Sequence, residues 1–307
     1  MRERRITLAT RPSDLARWQT RWVQRALTEA WPGIEVDIKV IVTRGDRELD
    51  RPLPEIGGKG LFTLELEQAL LSGEVDGAVH SLKDLPVENP PGLVVGAIPS
   101  RADARDVLIT ASSCTLDELS PGSRVGTSSL RRQAQVLARR PDLKIISLRG
   151  NVNTRVEKVY RDDLEYDGIV LAAAGVQRLK LEDHIGEYLP LEVMVPAPAQ
   201  GALAVQCRAE DRGVLEKFQA IDQPDIRRAV TAERGFLDSL GGGCAIPVGA
   251  HGEIEPGTGL IFLTGVVADV QGGKVIRVTG RGEDPAGLGD ELAQRAKDQG
   301  AMELIDV

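Results

Sequence analysis

The 307-residue chain reads as an α/β protein with two similar doubly wound domains around a cleft, followed by a small C-terminal α+β domain. Three observations predict this. Strand-like and helical patterns alternate with short connections through the first two hundred residues or so. Three strand-and-turn segments recur in the same order in two stretches of the chain. Beyond Ile221-Asp222-Gln223-Pro224 the pattern changes to a long helix, a group of strands and a terminal helix.

The first domain opens with the strand Ile6 to Thr10, a turn at Arg11, and a helix through Leu15-Ala16-Arg17-Trp18-Gln19. Its counterpart is Arg124-Val125-Gly126-Thr127-Ser128-Ser129, followed by Leu130-Arg131-Arg132-Gln133. Ile38 to Val42, ending in Thr43-Arg44-Gly45-Asp46, matches Lys144 to Leu148, ending in Arg149-Gly150-Asn151. Glu74 to Ser81 matches Glu165 to Ala172. Helices are predicted over Leu61 to Leu71 and Val152 to Leu164. Such alternation predicts parallel sheets covered on both faces, with ligands bound beyond the carboxyl ends of the strands. Arg11, Arg44, Ser81, Ser128, Ser129 and Arg149 fall at those ends, so the cleft is expected to be lined by arginine and serine, with helix N-termini adding N–H donors. In the third region, a helix over Ile226 to Leu240 leads to strands at Ala245 to Ala250, Leu260 to Asp269 and Lys274 to Gly280. Gly272-Gly273 is read as a hairpin turn, and a last helix spans Ala286 to Gln299.

Composition limits the chemistry. A hydrophobic content of 42% can fill a sizeable core, and a net charge of −8 argues against general nucleic-acid binding. Yet Arg124, Arg131, Arg132, Arg139, Arg140, Lys144, Arg149 and Arg155 crowd one segment that holds the single acid Asp142, which points to a small anionic ligand. Arg139 and Arg140, beside Pro141, are read instead as a solvated helix end that complements the helix dipole. No apolar stretch is long enough for a signal peptide or a membrane span. Cys114, Cys207 and Cys244 are too scattered for a disulfide framework, so a reducing cytoplasm is expected. Scattered His80, His184 and His251 predict no structural metal.

Cys244 follows Gly241-Gly242-Gly243, a loop too rich in glycine to be explained by packing. It is a candidate nucleophile, metal ligand or covalent anchor, against the alternative of a small buried hydrophobe. Gly57-Gly58-Lys59-Gly60 looks like a phosphate loop but has Gly60 where a Walker loop needs Ser or Thr, so a mobile cleft-side loop is expected instead.

With Val42-Thr43-Arg44-Gly45-Asp46, Gly57-Gly58-Lys59-Gly60-Leu61-Phe62, His80-Ser81-Leu82-Lys83-Asp84-Leu85-Pro86, Gly126 to Gln133, Leu148 to Arg155 and the cysteine loop in this order, the chain resembles the porphobilinogen deaminase (hydroxymethylbilane synthase) family almost end to end. The resemblance implies two domains of periplasmic-binding-protein type, with residues 200–218 returning to the first. The domains are then 1–99 with 200–218, 104–194 and 222–307. It implies a dipyrromethane cofactor held by Cys244 through a thioether. Four porphobilinogen molecules are condensed onto it with loss of ammonia, and hydrolysis releases hydroxymethylbilane. Asp84 is implied to stabilise positive charge on pyrrole nitrogens and to handle protons. Arg11, Lys83, Ser129, Arg131, Arg132, Arg149 and Arg155 are implied to hold cofactor and substrate carboxylates, with Ser13, Ser81, Thr127, Ser128, Gly150 and Gln200 in the same cradle.

A monomer that hands its product to uroporphyrinogen III synthase is also implied. Glu55, where many bacterial members carry a basic residue, and Ala199, which replaces a frequent glycine, depart from the family pattern. Ala199 is expected to stiffen the crossover between domains. A solute-binding protein fits paired domains and an arginine-lined cleft equally well, although it does not require the cysteine-bearing domain. A transcriptional effector domain is a further alternative, for which the N-terminus lacks a DNA-binding helix pair.

Overall fold

The computed structural model describes residues 5–47, 60–161, 165–242 and 246–305. Tertiary contacts divide the chain into two compact units, residues 1–101 with 202–227 and residues 102–201 with 228–307. In chain order the elements are β1 (Arg5–Thr10), α1 (Asp14–Ala30), β2 (Glu35–Val40), α2 (Arg44–Arg47), α3 (Leu64–Leu71), β3 (Gly77–Ser81), β4 (Leu93–Ala97) and β5 (Asp106–Ile109). Next come β6 (Arg124–Gly126), α4 (Leu130–Arg139), β7 (Lys144–Ile146), α5 (Val152–Val159), β8 (Gly168–Ala172), α6 (Ala173–Arg178) and β9 (Ile185–Tyr188). The chain ends with β10 (Leu203–Arg208), α7 (Arg212–Gln219), α8 (Pro224–Ser239), β11 (Val248–Ile254), β12 (Ile261–Ala268), β13 (Val275–Gly282), α9 (Pro285–Asp298) and α10 (Met302–Ile305).

The two large sheets share one plan, β2-β1-β3-β10-β4 and β7-β6-β8-β5-β9. The three recurring segments occupy equivalent places: β1 corresponds to β6, β2 to β7 and β3 to β8. Both sheets are mixed, where the alternation of strands and helices predicts parallel ones. β10 runs antiparallel to β3 and β4, and β5 antiparallel to β8 and β9. The physical reason is connectivity. Each of these strands lies where the chain crosses between units, so it enters its sheet from the opposite end.

Both faces of each sheet are covered, because successive strand residues point to opposite sides. Ile6 and Leu8 pack with Val23 and Leu27 of α1 and Phe218 of α7. Ala9 and Ala78 pack instead with Leu66 and Leu70 of α3. In the second sheet, Val107, Ile109 and Ile169 meet Val156 and Val159 of α5, while Leu108, Val125 and Val170 meet Val136 of α4. The C-terminal sheet β11-β12-β13 packs Leu263 and Val278 against Phe236 of α8 and Leu292 of α9. Gly265 is required there, since a Cβ would lie 2.4 Å from the Phe236 ring.

Several boundaries differ from the sequence reading. β2 stops at Val40 and Arg44 begins the helical turn α2, so Arg44 is not at a strand end. α3 starts at Leu64, after a turn over residues 60–63. α5 ends at Val159, and its expected last residues 162–164 lie outside the described residues. Among the described residues, no helix is long and apolar enough to cross a membrane.

Candidate functional site

In the first unit, β1 and β3 end side by side, and their C-terminal turns deliver Arg11, Ser13, Ser81 and Asp84 to one pocket, with Phe62 and His80 also in its wall. Ser13 caps α1, its Oγ accepting from the Ala16 N–H at 3.3 Å, so part of its capacity is structural. Ser81 Oγ accepts from Gln19 Nε2 at 2.7 Å. Asp84 ends a 3₁₀ turn (Leu82–Asp84) and is exposed to the pocket mouth. The Arg11 guanidinium lies 4.2 Å from the Phe62 ring centroid and donates to Asp46 through Nη2 at 2.5 Å and Nε at 3.3 Å. Lys83, half-buried, follows Leu82 in the same turn but is not in this pocket's wall.

His80 is buried and its Nε2 has no hydrogen-bond partner. Burial drives its imidazole down to about 4, against the opposing pull of the Gln206 side chain, and the Arg11 cation lowers it further. The pocket therefore combines a cation, a carboxylate and a neutral imidazole. That set suits a ligand bearing both carboxylates and N–H groups.

In the second unit, the loop after β6 carries Thr127, Ser128 and Ser129, and their hydroxyls serve the backbone. Thr127 Oγ1 accepts from the Ser129 N–H at 3.1 Å, and Ser129 caps α4 by accepting from the Arg132 N–H at 3.5 Å. Ser128 Oγ accepts from the Leu148 N–H and donates to the Leu148 carbonyl, clasping this loop to the one that carries Arg149. Gly150 has φ of +114°, and a Cβ there would lie 3.1 Å from Thr154. Its carbonyl accepts from Arg155 Nε at 2.7 Å.

The arginine cluster is largely matched by acids from outside its own segment. Arg131 Nη1 donates to Asp106 Oδ2 at 2.7 Å, Arg132 Nη2 to Asp106 Oδ1 at 2.7 Å, and Gln200 Nε2 to the same Oδ1 at 2.9 Å. Burial alone would raise the Asp106 carboxyl, but Arg131 and Arg132 hold it well below the usual carboxylate range. Arg124 meets Asp167, Arg139 meets Asp117 and Arg140 meets Asp142. The local excess of positive charge read from the sequence is therefore much reduced. Arg139 is exposed, as a solvated helix end predicts, but Arg140 is not. Its side chain is largely buried and donates to the Leu116, Asp117 and Leu119 carbonyls, which need a donor there.

Ala199 adopts φ of +63°, a conformation in which a Cβ costs about 1–2 kcal/mol. Buried Glu233 of α8 holds it by accepting from the Ala199 N–H at 2.6 Å, and also accepts from the Gly252 N–H of β11 at 2.6 Å. Cys244, Glu55 and Lys59 lie outside the described residues. Of the other thiols, burial pushes Cys207 up to about 11, which leaves it unreactive.

Sequence reasoning missed Asp46, His80, Asp106 and Glu233. It also missed Arg178, a guanidinium that burial lowers to about 10 and that donates to the Gly201 carbonyl at 2.6 Å. One signal was available for Asp106: an acid opening the apolar run Val107-Leu108-Ile109 needs a buried counter-charge.

Two family models match the chain: "Porphobilinogen deaminase, dipyromethane cofactor binding domain" over residues 6–216 and "Porphobilinogen deaminase, C-terminal domain" over residues 227–298. A porphobilinogen deaminase from Brevibacillus brevis is 47% identical over 298 residues, covering 97% of this chain and 96% of its own. Those from Syntrophotalea carbinolica and Geobacillus kaustophilus are 49% and 46% identical, over 89% and 99% of this chain and 86% and 97% of theirs. Among solved structures, the methionine-binding protein MetQ overlaps 73% of this chain and 93% of its own, with 14% identity and a TM-score of 0.45, a likeness from which nothing further follows.

Proposed function

The chain belongs to the porphobilinogen deaminase family, and from that premise we propose how its residues perform hydroxymethylbilane synthesis. The reaction is the stepwise condensation of four porphobilinogen molecules with release of ammonia, then hydrolysis to hydroxymethylbilane, on a dipyrromethane cofactor. The observation that carries the residue assignment is the placement of Arg11 and Asp84 in one pocket.

That pocket fits a pyrrole bearing carboxylate side chains. Arg11 supplies a guanidinium for a carboxylate, Asp84 supplies an acceptor for pyrrole N–H, and His80 Nε2 and Thr63 Oγ1 are buried polar atoms without hydrogen-bond partners. When bound, the dipyrromethane supplies the nucleophilic α-carbon from which the chain grows. Asp84 lowers the cost of positive charge on the pyrrole nitrogen and receives the proton lost when the ring regains aromaticity. Arg11 fixes the orientation of the ring through its carboxylate. In the second unit Arg149 and Arg155 hold further carboxylates, and Lys83 of the first unit does the same. Arg131 and Arg132, buried against Asp106, instead fix the first turn of α4. Gln200 buttresses Asp106, the hydroxyls of Ser13, Ser81, Thr127, Ser128 and Ser129 brace the turns after β1, β3 and β6, and Gly150 gives the Arg149 loop its turn.

Cys244 anchors the cofactor through a thioether in this reading. We divide the chain into 1–99 with 200–218, 104–194 and 222–307, a reading supported by the main apolar clusters of each, while Ala134 and Val195 also pack with Val266 and Ala268. We place the protein in the cytoplasm, as a monomer that passes its product to uroporphyrinogen III synthase.

Intact mass of the purified protein and of its Cys244→Ser variant, with an acidic Ehrlich reaction on both, tests the anchor. The expected result is an added mass equal to two linked pyrroles, coloured by the reagent and absent from the variant. A chain that stays unmodified and inactive after incubation with porphobilinogen or preformed hydroxymethylbilane overturns the assignment and favours ligand capture without turnover.

A further inference from the structure

We propose that Asp46 is a positioning residue that makes Arg11 present one particular edge of its guanidinium to the ligand. The inference rests on the functional reading above. A guanidinium can meet a carboxylate side-on, through Nε and one Nη, or end-on, through both Nη groups. Asp46 occupies the side-on fork of Arg11, with Oδ1 at 2.5 Å from Nη2 and Oδ2 at 3.3 Å from Nε. Phe62 covers one face of the same group at 4.2 Å. The Nη1 end is thus the edge left to a carboxylate in the pocket that Arg11 lines.

Asp46 is itself held fast. Its Oδ2 accepts from the Thr43 N–H at 3.1 Å and from Thr43 Oγ1 at 2.8 Å, and its own N–H donates to Thr43 Oγ1 at 3.3 Å. Burial opposes ionisation, but Arg11 and Thr43 hold its carboxyl below the usual range, so it is an anion at every working pH. Arg11 lines the pocket and Asp46 does not, so Asp46 acts through Arg11 rather than on the ligand.

Two opposite consequences separate positioning from charge competition. As a mere competitor for Arg11, Asp46 would weaken ligand binding, and its removal would lower KM. As a positioning residue it holds the guanidinium ready, and its removal raises KM because a freed side chain must be ordered by the ligand. Steady-state turnover of porphobilinogen by wild type, Asp46→Asn, Asp46→Ala, Arg11→Ala and the Arg11→Ala/Asp46→Ala double variant decides between them.

We expect Asp46→Ala to raise KM about tenfold with kcat changed less than about threefold, and Asp46→Asn to lie between it and wild type. In the Arg11→Ala background, loss of Asp46 should add nothing, because the coupling runs through Arg11. An unchanged or lowered KM overturns the proposal, as does an equal loss in the Arg11→Ala background, which would mark a role in folding alone. Asp46→Asn, similar in size and still able to accept from Thr43, carries the test if the alanine variant does not fold. Wild type that leaves porphobilinogen unconsumed overturns the functional reading and this inference with it, whereas active wild type with an unaltered Asp46→Asn overturns the inference alone.

Discussion

Asp84 and His80 stand four residues apart on either side of the β3 terminus, and their surroundings give them opposite tasks. Asp84 is exposed at the pocket mouth, so Asp84→Asn should leave the melting temperature unchanged while lowering kcat by about 100-fold or more. Full turnover by that variant would remove it from the mechanism. His80 is buried and neutral, falling from about 6.5 in the unfolded chain to about 4 in the fold. Between those values the unfolded state binds the extra proton, so stability falls as pH drops from about 6.5 to about 4, by about 3 kcal/mol in all. Denaturant titrations at pH 7.5 and 4.5 on wild type and His80→Gln should show the variant gaining on wild type in acid. A stability difference that stays constant with pH would mean that His80 keeps an ordinary affinity for protons. Asp84 was legible as part of the stretch His80 to Pro86, but the burial of His80 depends on β10, which lies far along the chain.

α4 shows how an element can be legible while its purpose is not. Its start at Leu130 and its end near Pro141 follow from local sequence, and the structure agrees, adding Ser129 as its cap. The partner of its arginines does not, because Asp106 lies 25 and 26 residues before Arg131 and Arg132, and only the β5–β8 pairing brings it close. α4 is thus fastened at its N-terminal turn by a buried carboxylate shared between two cations.

Asp106→Asn would leave both guanidinium groups buried without a counter-charge, and should cost about 3–5 kcal/mol in denaturant unfolding. The exposed Arg139–Asp117 pair is the control, since Asp117→Asn should shift the midpoint little. Asp106 has a depressed carboxyl, so its contribution is present above the unfolded value near 3.9 and is lost as pH falls below it. Acid should therefore weaken the protein in two steps, through His80 first and Asp106 below that. An Asp106→Asn protein as stable as wild type would show that the arginines need no internal carboxylate.

At the scale of the molecule, the repeated strands made the two-sheet plan readable, whereas β4, β5, β9 and β10 carry no repeat and were not singled out. Their places are fixed by where the chain crosses between units, a property of topology rather than of local pattern. β10 lies between β3 and β4 in its sheet, pairing Leu203 with Ser81 and Cys207 with Val94. Residues 1–101 alone would lack it, exposing the edges of both neighbours and losing Phe218 of α7 from the core. They should fail to unfold cooperatively. Arg101 and Ala202 already form an antiparallel bridge, so a two-residue glycine-rich turn can join residues 1–101 directly to 202–227. That joined chain should show a single cooperative denaturant transition by both circular dichroism and fluorescence. Cooperative unfolding of residues 1–101 without the returning strand would show that the first sheet closes on its own, and that its discontinuity in sequence has no part in its stability.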